Sequence, residues 1–185
     1  GNWPLVAVLQ EALARDKCKK ANISKSEAYR EVKDFIQIIH HFRDDAISTD
    51  AAPYERVAIF DEAQRAWTED QLSKFMKQKK GVINFNMSEP EFLISIMNRH
   101  TDWASIICLV GGGQEINTGE AGLTEWFTTI KNHFPNWDVY VSDRITDSEY
   151  TNGINVKDIL PNIHIKPELH LAVSLRSFRS EKVSA

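Results

Sequence analysis

The sequence predicts an α/β fold with a mostly parallel sheet flanked by helices, and three observations carry that prediction. Two apolar runs, Val57 to Phe60 and Ser105 to Val110, read as buried parallel strands covered on both faces. Segments of helical period flank each run, and strands alternating with helices imply parallel crossovers. A shorter run from Trp137 to Val141 reads as a further strand.

The elements follow in order. Pro4 suits a first helical turn, and Leu5, Val8, Leu9, Ala12 and Leu13 recur at helical spacing up to about Lys20. Ser24-Lys25-Ser26-Glu27 is a capping box. It opens one long helix with Ala28, Val32, Phe35, Ile36, Ile39 and Phe42 on a single stripe. Ser48 to Pro53 is a polar break before the strand at 57. Thr68-Glu69-Asp70-Gln71 is a second capping box, predicting a helix from Thr68 to Lys79. Ser88 and Glu91 cap another around Pro90, with Phe92, Leu93, Ile96 and Met97 on its apolar side. Leu123 to Phe134 reads as a helix, and from Ser142 to Pro167 the signals weaken into turn-rich sequence.

With 185 residues, 42% hydrophobic and 26% charged, the chain has the composition of an ordinary globular protein with one sizeable core. The formal charge of −4 and pI near 5.9 argue against this piece being a main nucleic-acid surface. Cys18 and Cys108 sit in unlike contexts and do not make a disulfide scaffold or zinc site, so reduced thiols in a cytoplasmic protein are expected. No apolar run approaches the roughly twenty residues of a membrane span. Neither is there a basic region followed by a hydrophobic signal core.

Chemistry gathers where the apolar runs end. Val57-Ala58-Ile59-Phe60 stops at Asp61-Glu62-Ala63-Gln64, and ligands of open α/β sheets bind outside the carboxyl ends of strands. Asp61 and Glu62 fit the Walker B arrangement, in which the Asp holds the Mg²⁺ of a nucleotide and the Glu positions or deprotonates the attacking water. Gln64, an amide that does not titrate, orients a backbone group or that water. The second run leads into Gly111-Gly112-Gly113-Gln114, where glycines permit close approach of the backbone to a phosphate. The blander alternatives are an acidic pair capping a turn and a left-handed glycine turn after a strand.

Taken together, these segments resemble a known family. Asp61-Glu62-Ala63-Gln64-Arg65-Ala66-Trp67 looks like helicase motif II, and Gly111 to Asn117 is similar to motif III, whose Gln reaches the γ-phosphate. Leu171-Ala172-Val173-Ser174-Leu175-Arg176-Ser177 resembles motif IV of superfamily 1. With the Pro4 to Leu9 helix and Gly119-Glu120-Ala121-Gly122-Leu123 before Glu125-Trp126, nearly the whole chain resembles the Schlafen group 3-like DNA/RNA helicases, bacterial P-loop NTPases.

The resemblance implies a partial RecA-like core over 1–141 and, over 142–185, a connector and the start of a second motor domain. It implies Glu62, Gln114 and Arg176 as catalytic residues, Asp61, Gln64 and Gly113 as nucleotide-binding, and Asp61 as metal ligand. Arg179 competes with Arg176 for the role of arginine finger.

No glycine here is followed by Lys-Ser or Lys-Thr, so the phosphate-cradling P-loop is missing. The expectation is therefore a fragment of a larger ATPase. ATP, Mg²⁺ and contact with DNA or RNA belong to the parent, with no tightly bound cofactor here. In a RecA-like core the P-loop strand separates the motif III strand from the strand at 137–141. A gap is expected between those two, either with the 57 and 105 strands adjacent and parallel and one edge covered by a rearranged segment or a second copy, or filled by a non-family strand order, with self-association through open strand edges.

Other readings stay open: a nucleotide switch that remodels a protein partner, or a non-catalytic interaction domain with a degenerate NTPase fold. A nuclease built on Asp61 and Glu62 is disfavoured, because no further carboxylate cluster completes a two-metal site. His40, His41, His164 and His170 receive no role. Trp67, Trp103, Trp126 and Trp137 are assigned to packing, and Lys74, Lys77, Lys79 and Lys80 to a solvated helix end.

Overall fold

The computed structural model describes residues 3–36, 39–111, 118–146 and 155–171. The chain divides into two compact units, each discontinuous in sequence: Gly1–Ala63 with Phe92–Val110, and Gln64–Glu91 with Gly111–Ala185.

In the first unit, helix α1 (Trp3–Ala21) packs along α2 (Lys25–Phe35). Ser24 caps α2 as its capping box requires, its hydroxyl accepting from Glu27 N–H at 3.2 Å. Ala14, Ala28 and Val32 form the buried seam, with Cys18, Ile23, Tyr29 and Ile36 around it. The buried side of α1 is thus not the apolar stripe expected from periodicity. Gln10 and Ala14 point inward, whereas Val8 is 65% exposed and Leu9 and Leu13 are exposed as well. Small residues win the seam because they let the two helices approach closely. Gln10 is satisfied there, its amide donating to Ile36 O at 2.5 Å and accepting from the Tyr29 hydroxyl at 3.3 Å.

The single long helix expected from Ser24 onward is two. α2 ends at Phe35, Ile36 turns extended, and α3 runs Ile39–Ser48. β-branched Ile36 loses side-chain freedom in a helix, and the Gln10 bond takes up the Ile36 carbonyl that a continuing helix would use. Arg99 closes the far end of α3, donating to Ala46, Thr49 and Ala51 carbonyls at 3.1, 2.8 and 3.2 Å.

Strands β1 (Val57–Phe60) and β2 (Ser105–Cys108) pair in parallel, Val57 opposite Ser105 and Phe60 opposite Cys108. They form a two-stranded sheet, and among the described residues no third strand joins it. Both strands were read as covered on both faces, and one face departs from that. Ile59 is 62% exposed, and Val57 and Ile107 beside it are exposed too. A two-stranded sheet in this unit has partners for one face only, where the Phe60 and Phe42 rings meet edge to face at 6.1 Å.

α5 (Glu89–Met97) starts on Ser88, whose hydroxyl accepts from Glu91 N–H at 3.3 Å, and it buries Phe92, Leu93, Ile96 and Met97 as predicted. In the second unit, α4 (Glu69–Phe75) starts on Thr68 and ends in a wider π-helical turn, Met76–Lys80, closed by left-handed Gly81. α6 (Gly122–His133) buries Leu123, Trp126 and Phe127 and packs against the short helix Val156–Ile159. The run at 137–141 yields only β3 (Tyr140–Val141), which pairs in parallel with β4 (His164–Ile165) in a sheet of its own. β4 lay in the segment where sequence signals were weak. β2 and β3 belong to different sheets.

Candidate nucleotide-hydrolysis site

Parallel pairing in this register brings the carboxyl ends of β1 and β2 to one edge. There the chain is pinned by two backbone bonds: Leu109 N–H donates to Phe60 O at 2.9 Å and Ala63 N–H to Leu109 O at 3.0 Å. Between those anchors stand Asp61, exposed, and Glu62, half-buried. Glu62 has φ of +54°, a left-handed conformation that a side chain other than glycine adopts at a cost. Such strain is retained where the surroundings over-determine it, and it concentrates at functional sites. The left-handed step ends the strand and starts the 3₁₀ turn Ala63–Arg65.

The second unit continues from Gln64, whose side chain is buried. Its Oε1 accepts from Gly111 N–H at 3.4 Å, so the amide orients the first residue of the glycine turn. Three residues further, Ala66–Thr68 runs antiparallel to Gly119–Ala121. Trp67 bridges Glu120, Thr68 N–H donates to Gly119 O at 2.9 Å and Ala121 N–H to Ala66 O at 2.6 Å. Both described ends of the glycine segment, Gly111 and Gly119–Ala121, are therefore held by Gln64–Thr68. Gly119 needs to be glycine, since its φ is +94° and a Cβ there would meet the Gln71 side chain at 3.3 Å.

Sequence reasoning missed Glu89. Only 4% exposed, it accepts from Trp67 N–H at 2.9 Å while its own N–H donates to Trp67 O at 2.9 Å. This reciprocal pair fixes the middle of the Ala66–Thr68 stretch. The signal available was an acid directly before a helix-initiating proline.

Of the residues assigned from sequence, Asp61 and Glu62 occupy the strand-end turn and Gln64 contacts the glycine turn. Gly113, Gln114, Arg176 and Arg179 lie outside the described residues. Asp61 offers one carboxylate, which suits Mg²⁺, an ion that takes one or two protein carboxylates and completes its shell with phosphate oxygens and water. Among the described residues no group of three or more His, Cys, Asp or Glu side chains is placed to hold a cation. The donor set thus fits a cation carried mainly by a nucleotide.

Cys108, on β2, is buried enough that its thiol is pushed up to about 12 from an ordinary 9.0, which keeps it protonated and inert. No described helix is long and apolar enough to cross a membrane.

The described residues thus form a mixed α/β domain with small parallel sheets, one of which ends in an acidic left-handed turn. The family match agrees: residues 1–185 fit the Schlafen group 3, DNA/RNA helicase domain, and the chain belongs to that family. No curated protein and no solved structure matches it.

Proposed function

We propose that this chain carries the hydrolytic half of the ATP site of a superfamily 1 helicase-like P-loop NTPase with a RecA-like core, the P-loop being supplied from outside this sequence. The observation that carries the reading is Asp61-Glu62 on the strained turn at the carboxyl end of a parallel pair, locked by Ala63 N–H to Leu109 O. Asp61 is the Mg²⁺ ligand. Bound there, the cation would supply positive charge against the phosphates of the nucleotide. Glu62 accepts a proton from, or orients, the attacking water.

Gln64 holds the glycine turn from which Gly113 and Gln114 serve the γ-phosphate. Arg176 acts as the finger that stabilises the transition state. In the assembled motor, hydrolysis is coupled to movement on DNA or RNA.

The test is Glu62→Gln in a parent that includes the P-loop. ATP binding survives, and turnover falls by about 10²-fold or more, the scale of losing a positioned base. Unchanged turnover removes Glu62 from the role. The 185-residue chain by itself, titrated with Mg-ATP in a calorimeter, gives no tight binding. Low-micromolar affinity would refute the division of the site.

A further inference from the structure

The end of α4 and the turn after it concentrate positive charge. From Gln71 to Ser88 the sequence holds four lysines and no carboxylate, in a chain whose formal charge is −4. Lys74, Lys77, Lys79 and Lys80 are all exposed. In the other lysine-rich stretch, 17–25, three of the four lysines are paired: Lys17 with Glu31, Lys20 with Asp16 at 2.8 Å and Lys25 with Glu11 at 2.8 Å. Among the described residues no acid pairs with Lys74, Lys77 or Lys79. Complementing the negative end of a helix explains one or two lysines here. It does not explain an acid-free stretch that continues to Ser88.

The backbone under these lysines is preorganised. Leu72 and Met76 are fully buried beneath them. Ser73 Oγ donates to Phe85 O at 2.5 Å, and Val82 N–H donates to Met76 O at 3.2 Å. The π-helical turn is closed by the Gly81 N–H on the same Met76 carbonyl, with Gly81 left-handed and open space where a Cβ would stand. The result is a short, tied knuckle that carries exposed cations on a backbone already held in place, which removes one cost of association.

We infer that the lysine knuckle Lys74–Lys80 is a contact surface for the phosphate backbone of single-stranded nucleic acid. Ammonium groups on flexible stems act as point charges toward successive phosphates and read no sequence, as a translocating motor requires. On a chain of net negative charge, a basic knuckle that includes Lys74, Lys77 and Lys79 is where a polyanion is admitted. The assignment rests on the nucleic-acid-motor reading above and adds the surface to it.

Anisotropy of a labelled oligothymidylate of about twenty nucleotides, measured with the 185-residue chain across a salt series, is the test. Each phosphate contact on a single strand adds about 0.7 to the salt slope, so the triple variant K74A/K77A/K79A loses about 2. Raising salt from about 50 to 200 mM then costs the wild-type chain about sixteenfold more affinity than the variant. The exposed positions leave the circular dichroism melt unchanged, and K17A/K20A/K25A keeps the wild-type slope.

Equal slopes for wild type and the knuckle variant, an equal loss in the control, or no oligonucleotide binding at about 50 mM salt would each overturn the proposal. So would knuckle-dependent binding to phosphatidylserine vesicles with none to the oligonucleotide, since Ile83 beside the lysines is 72% exposed. Hydrolysis by Glu62→Gln in the parent is a separate readout, so this surface and the ATPase reading can fail independently.

Discussion

Replacing Glu62 by glycine and by alanine separates backbone strain from carboxylate chemistry, because both variants remove the acid and only one removes the Cβ. At φ of +54° a Cβ costs about 1–2 kcal/mol against the neighbouring carbonyl. Glycine avoids that cost but gives up about 0.5–1 kcal/mol through the freedom of its unfolded chain. The difference leaves Glu62→Gly more stable than Glu62→Ala by roughly 0.5–1 kcal/mol. For a chain of this length that is a shift of about 1–4 °C in melting temperature. Paired melts followed by circular dichroism, with urea titrations to give the free energies, read it directly. In the P-loop-containing parent both variants lose hydrolysis, so the glycine variant gains stability and loses function together. If alanine melts at or above glycine, residue 62 does not hold the left-handed conformation and the strained-turn reasoning collapses.

Three further outcomes are expected. Glu89→Ala leaves the Trp67 N–H without its side-chain acceptor in a buried setting and costs about 1–3 kcal/mol in urea unfolding; a loss within about 0.5 kcal/mol, the scatter of ordinary surface changes, would dissolve the Glu89–Trp67 pair. Leu93→Ala, at a fully buried site, costs about 2–5 kcal/mol, whereas Val8→Ala on the exposed side of α1 stays within about 0.5 kcal/mol. Comparable losses would restore the apolar stripe expected from periodicity. Cys108 remains unalkylated by iodoacetamide at pH 8 until urea is added. Because its thiol is raised from 9.0 to about 12 in the fold, the unfolded chain releases its proton first, and Cys108 lowers stability progressively as pH rises from 9.0 toward 12. Rapid native alkylation, or an alkaline stability loss unaltered in Cys108→Ala, would contradict its burial.

Local rules carried the sequence reading furthest where one short segment contains its own answer. The N-caps at Ser24, Thr68 and Ser88 form, because a side-chain oxygen and an N–H three residues on need nothing distant to meet, whereas the Thr68 N–H donates to Gly119 O rather than completing a reciprocal box. Asp61-Glu62 at the end of an apolar strand was legible for the same reason: strand and acids are contiguous. Family membership was legible too, since it resides in the order of such short motifs.

What required the tertiary structure was every choice between equivalent local options. Periodicity marks an apolar side of α1, but the close α1–α2 seam selects Gln10 and Ala14, because distance of approach outweighs side-chain hydrophobicity there. A bond from Gln10, 26 residues away in sequence, accompanies the end of α2 at a point where the helical pattern continues. The left-handed Glu62, the Gln64 grip on Gly111 and the Glu89 clamp on Trp67 are likewise invisible in composition or spacing. Each is a contact between segments far apart in the chain or a backbone state imposed by such contacts, and a linear pattern encodes which groups are available, not which of them the fold brings within 3 Å.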